Sequence, residues 1–175
     1  MKIYKLNYDV DRYDSLIPLS GITDIPRFDG TRRKQIWKPV KVCRMEPEKN
    51  NPLGDAPSFA FPIYSSRAIN ILSNIIQDSV ELLPLMCDEG EFSAVNIVNV
   101  IDAVDYQNSF FKTFRDGKRI MRFIDYSFIK EAVADNNIFK ITDEVKNSGF
   151  VSETFKKKVE DNELKGFVFK LVWEG

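Results

Sequence analysis

The sequence contains no histidine. That absence removes the commonest general base, the commonest metal ligand and every Ser-His or Cys-His nucleophile arrangement. An enzyme built this way must rely on carboxylates, lysine, tyrosine or a bound cofactor. Cysteine is almost missing as well: Cys43 and Cys87 are far apart and form no metal or redox motif. They read as reduced, small apolar fillers. A charge excess of either sign is also lacking, since 25 basic and 26 acidic residues leave a net charge of −1. A dedicated nucleic-acid binder usually carries a basic excess or stripe, so no nucleic-acid partner is expected. No apolar run approaches the roughly 20 residues that cross a bilayer. The opening MKIYKLNYDVDRYD holds no secretory hydrophobic region. The expected compartment is therefore the cytoplasm, with no membrane partner.

What is present suits a folded domain. At 175 residues, with 43% hydrophobic content, the chain is not intrinsically disordered. About 70% of the unfolded surface is expected to be buried at this length. Fourteen phenylalanines predict a core rich in aromatic rings. Residues 1–6 alternate and read as a strand. Residues 11–35 mix prolines, glycines and arginines and read as a long irregular loop. Ile36, Lys38, Val40 and Val42 read as one face of a second strand, with Pro39 marking an edge or a bulge. Residues 46–57, EPEKNNPLGDAP, read as a second long loop.

The clearest helix follows Ser65 or Ser66, with Ala68, Ile69, Leu72, Ile75 and Ile76 as its apolar stripe. VELLPLMC (80–87) and FSAVNIVNV (92–100) read as strands joined at Gly90. Asp116-Gly117 predicts a tight hairpin between Phe110–Arg115 and a strand ending at Phe123. A short helix over 128–134 precedes the strand IFKI (138–141). Ser152 then predicts an N-cap for a helix whose stripe is Val151, Phe155 and Val159. Lys156, Lys157 and Lys158 mostly point away from that stripe, as a solvated face. Phe167, Phe169, Leu171 and Trp173 alternate as a closing strand. The pattern predicts one α+β domain over 1–175, with a largely antiparallel sheet and a few packed helices.

Candidate chemistry is thin. Asp9, Asp11 and Asp14 begin like a calcium loop, but position six is Asp14 where glycine belongs and position twelve is Ser20 where glutamate belongs. A polar turn is the better reading. Asp102 and Asp105, with Tyr106, follow a strongly apolar strand and are the best enzymatic candidates. No nucleophile motif, phosphate-cradling loop or metal-ligand set accompanies them, so turn and capping roles are favoured. Neither a cofactor nor a metal is expected. Arg27, Arg32, Arg33 and Lys34 crowd one loop, and Asp88, Glu89 and Glu91 mark a hairpin tip.

Several segments together resemble a known family. They are SSRAINILSNIIQDSVELLPL with its LLPL at 82–85, NIVNVIDAVDYQNS at 96–109, the IFKI strand, and VSETFKKKVEDNELKGFVFKLVW at 151–173. The likeness is to the immunity-protein-eleven family of bacterial polymorphic toxin systems, and it runs from about Trp37 to Trp173. It implies a cytosolic protein that binds and blocks the effector domain of a cognate toxin, with no catalytic residues to carry over. Residues 7–35 match nothing in that pattern. An inhibitor of this kind works by steric and electrostatic occlusion. Exposure and irregularity nominate Tyr13, Arg27, Phe28, Arg32 and Arg33, with Asp88, Glu89 and Glu91, as partner contacts. The rival readings are a carboxylate-dependent enzyme using Asp102, Asp105 or Tyr106, and a scaffold module. A deep pocket around those carboxylates favours the enzyme; a loop-rimmed surface favours the inhibitor.

Overall fold

The computed structural model describes residues 1–21 and 27–175. Among them are thirteen strands and three α-helices. In chain order these are β1 (Lys2–Tyr8), β2 (Asp14–Pro18), β3 (Val40–Arg44), β4 (Leu53–Ser58), β5 (Ile63–Ser65), α1 (Ser66–Ile76), β6 (Val80–Met86), β7 (Phe92–Ile97) and β8 (Val100–Ile101). There follow β9 (Phe110–Thr113), β10 (Ile120–Asp125), α2 (Lys130–Val133), β11 (Ile138–Ile141), β12 (Phe150–Ser152), α3 (Glu153–Asp161) and β13 (Phe167–Glu174). None of the described helices is long and apolar enough to cross a membrane.

Two serines turn strand into helix. Ser65 closes β5, and its side chain accepts the Ala68 N–H at 3.1 Å. Ser152 does the same for Phe155 at 3.2 Å. Each satisfies one of the donors that a helix start leaves unpaired. Both stripes turn to the core: Ala68, Leu72 and Ile76 from α1 and Phe155 and Val159 from α3 are buried, while Ile69 and Ile75 are only partly covered. The lysine run is less free than its composition implied. Lys156 pairs with Glu160 at 2.6 Å, and Lys158 donates to Asn74 on α1. Lys157 remains exposed.

A five-stranded sheet runs in the order β13-β1-β12-β11-β8, and a six-stranded sheet in the order β4-β2-β3-β6-β7-β5. The predicted hairpins are present, with Val80 opposite Ile97 in one and Ile120 opposite Thr113 in the other. Seven of the ten strand pairings are antiparallel, as the pattern predicts, but both larger sheets are mixed, because β2–β4, β3–β6 and β8–β11 pair in parallel. Parallel pairs need long crossovers and leave no turn signal between neighbours, so local patterning does not show them. The outer strands of the six-stranded sheet meet, with Ile63 N–H donating to Ser58 Oγ at 2.8 Å. The sheet therefore curls almost into a barrel. Leu16, Val42, Phe61, Ile63, Leu83 and Ala94 pack together as its core cluster.

Both predicted long loops hold strands, which corrects the loop reading of 11–35 and 46–57. Residues 14–18 form β2 and residues 53–58 form β4; residues 22–26 lie outside the described residues. Both strands are buried along almost their whole length, so neither alternates, and their polar residues look loop-like. Gly54 has a packing reason, since a Cβ there would sit 3.0 Å from the Lys165 carbonyl oxygen. The strand expected from Ile36 begins only at Val40. Ile36 is 70% exposed, and Trp37 folds back to donate its indole N–H to the Pro84 carbonyl at 2.9 Å.

Two further clusters complete the core. One joins α1 and α3 with Tyr4, Leu6, Tyr64, Val95, Ile97 and Ile138. The other gathers Phe123, Phe128, Phe139 and Phe150, with Trp173 packed edge-on to Phe128 at 5.9 Å. Each fully buried ring stabilises the fold by about 1.5–3 kcal/mol through the water it sheds. The β9–β10 pair is a separate two-stranded ribbon over this second cluster.

Candidate partner-binding surfaces

The loop at 27–34 is organised from beneath by a buried carboxylate. Glu81 on β6 is 7% exposed. It accepts the backbone N–H of Arg33 at 2.6 Å and of Lys34 at 3.3 Å, and Asn96 Nδ2 at 3.1 Å. Asn96 also donates to the Thr31 carbonyl at 2.9 Å. Arg32 stands outside this knot, with Nη1 3.8 Å from Glu81 Oε1. Arg33 folds onto its own loop, donating to the Arg27 carbonyl at 3.2 Å.

A buried ammonium holds the same loop from β11. Lys140 Nζ donates to the carbonyls of Phe28 and Val145. Burial lowers its pKa to about 8, opposed by the charge of Asp29. The nomination of Phe28 as an exposed anchor needs correcting. Its ring is buried against Phe61 at 5.3 Å and Trp37 at 6.1 Å, because a large ring gains more from the barrel core than from water. Tyr13 is half-buried beside Gly54, and Arg27 is exposed.

The acidic tip is partly spent within the chain. Glu89 receives two parallel bonds from Arg44, both 2.8 Å, which hold its carboxyl below the usual carboxylate range. Glu91 is tied to the start of α1, accepting Ser66 N–H at its backbone carbonyl at 3.0 Å and Ser66 Oγ at its carboxylate at 3.2 Å. Asp88 is the open member, exposed and 3.5 Å from Lys41 Nζ.

The residues of the enzymatic reading do not converge. Asp105 accepts from the backbone of Gln107 and Asn108 and from Asn108 Nδ2 at 2.6 Å, which lowers its pKa. It holds a turn. Tyr106 donates to Asp143 at 2.7 Å, and burial together with that carboxylate raises its pKa to about 12. Asp102 is exposed. Asp9 likewise closes a turn onto Arg12. Asp14 is buried instead, accepting from Ser15 and Glu46 N–H and lying 3.6 Å from Arg44.

An open cleft of about 790 Å³ lies elsewhere, between the turn at 59–62 and the loop at 146–149. Its described lining carries Lys5, Arg27, Lys140 and Lys146 beside Phe59 and Phe61, and includes no carboxylate. Phe59 is 49% exposed. Lys5 is paired with Glu144 at 3.1 Å and also donates to Tyr126 Oη at 3.0 Å. Arg27 and Lys146 enter no ion pair among the described residues. Of this site's cations, sequence reading nominated only Arg27, because they come from three segments far apart in the chain.

Comparison with known proteins gives one family. The family model described as the immunity protein family Imm11 matches residues 41–173. No curated protein matches the chain. The match takes in the acidic tip and the ribbon but not the loop at 27–34. It also begins after β1 and β2, although β1 pairs with both β12 and β13.

Proposed function

The chain belongs to the Imm11 immunity protein family, and we propose that it binds a cognate bacterial toxin effector domain and neutralises it by occlusion in the cytoplasm. Family membership is the observation that carries this reading. The surface agrees with it. The cleft is loop-rimmed, cationic and aromatic in its described lining, and Asp102, Asp105 and Tyr106 lie outside that lining. Aromatic rings and arginines supply most of the energy in protein interfaces, and a stable one covers on the order of 800 Å² per partner. Arg27, Arg32 and Asp88 are the nominated residues that stand free enough to meet a partner. Co-expression with the effector domain encoded beside it tests the reading. Restored growth and a co-purifying complex are the expected result; equal killing with and without the protein overturns it.

A further inference from the structure

The β9–β10 ribbon differs from the rest of the surface in charge, exposure and pairing. Residues 110–125 hold five basic and two acidic side chains, while the whole chain is near neutral. Arg119 pairs with Asp116 at 2.8 Å and lies 5.2 Å from the Phe114 ring centre. Lys112, Arg115, Lys118 and Arg122 enter no ion pair among the described residues. The two strands pair with each other and with no other described strand, so both outer edges keep unpaired backbone donors and acceptors. Phe111, Ile120 and Phe123 face the core cluster below. Phe110 at 63%, Met121 at 52% and Ile124 at 44% are exposed.

Exposed apolar side chains interleaved with free cations, on a strand with an open edge, describe one kind of occupant. We propose that this ribbon docks an acidic protein surface with apolar sockets between its carboxylates; resting on the immunity reading, that surface belongs to the toxin effector domain. Phosphate backbones would satisfy the cations but leave Met121 and Ile124 without apolar contact. A protein supplies both, and can pair with the open edge. The ribbon connects to the cleft only through the core. Phe123 stacks on Tyr126 at 4.8 Å, and Tyr126 Oη takes its bond from Lys5 in the cleft lining.

Lys112 and Arg122 face each other across the ribbon, so the test reverses both. The full chain carrying Lys112→Glu and Arg122→Glu is titrated with the purified effector domain. It is expected to bind at least about 100-fold more weakly than wild type, with slower association at low salt. Its melting temperature should be unchanged, because both side chains are exposed. Lys112→Arg with Arg122→Lys should restore affinity. Wild-type binding matched by the double reversal overturns the ribbon assignment and leaves the immunity reading standing. So does loss of binding to anionic vesicles or duplex DNA while effector affinity persists. A wild-type chain that does not bind the effector overturns both.

Discussion

Residues 27–34 and the ribbon at 110–125 both carry three more basic than acidic side chains, yet the fold treats them differently. The first stretch is pinned by Glu81, Asn96 and Lys140, which take up its backbone groups. The second is supported on one face only, and four of its cations have no ion-pair partner among the described residues. Charge counted along a chain therefore says little about availability. What matters is whether the fold has already supplied counter-ions and acceptors. The pinned loop presents a fixed shape with two of its four cations ion-paired, while the ribbon has one of its five paired among the described residues.

The largest test of this contrast is at Glu81. Replacing it with alanine strands two backbone donors and the Asn96 amide in a buried place. Stability measured by urea unfolding should fall by about 3 kcal/mol, whereas changes at Lys112 or Arg122 should leave it unmoved. A loss below the level of an ordinary surface substitution would mean the loop is not held from beneath.

A smaller effect should appear with pH. The folded pKa of Lys140 is depressed from 10.5 to about 8. Between those values the unfolded chain binds more protons than the folded one, so stability rises with pH. The gain from pH 8 to 9 should be about 1 kcal/mol, below the range where the tyrosines whose pKa burial raises begin to oppose it, and Lys140→Met should abolish that slope. The smallest effect belongs to Glu89. Its bonds to Arg44 lie in water, so Glu89→Gln should not shift the urea midpoint.

Much of the local structure was legible because it is specified locally. Ser65 and Ser152 announce their helices, Asp116-Gly117 announces its hairpin, and the stripes of α1 and α3 declare their buried faces. The strands β2 and β4 were not legible. Asp14, Ser15, Asp55 and Ser58 are buried in them, and each looks like loop material until its partner is known. Asp55 illustrates the reason. It binds Ser65 at 2.9 Å, Arg67 at 2.8 Å and the Lys165 N–H at 2.9 Å, and no pattern within ten residues could signal the last. The same limit applied to the surfaces. The chain showed where charges were dense, but the pairing of Arg44 with Glu89 and the burial of Phe28 depend on folds of the chain far away in sequence.

The placement of the two tryptophans has a practical consequence. Trp37 rests on Phe28 beside the pinned loop, and Trp173 sits in the aromatic cluster beneath the ribbon. Each half of the contrast thus contains its own intrinsic fluorophore. Replacing either indole with phenylalanine leaves a single native optical reporter on the other, so emission spectra can follow the two regions separately without attaching any dye.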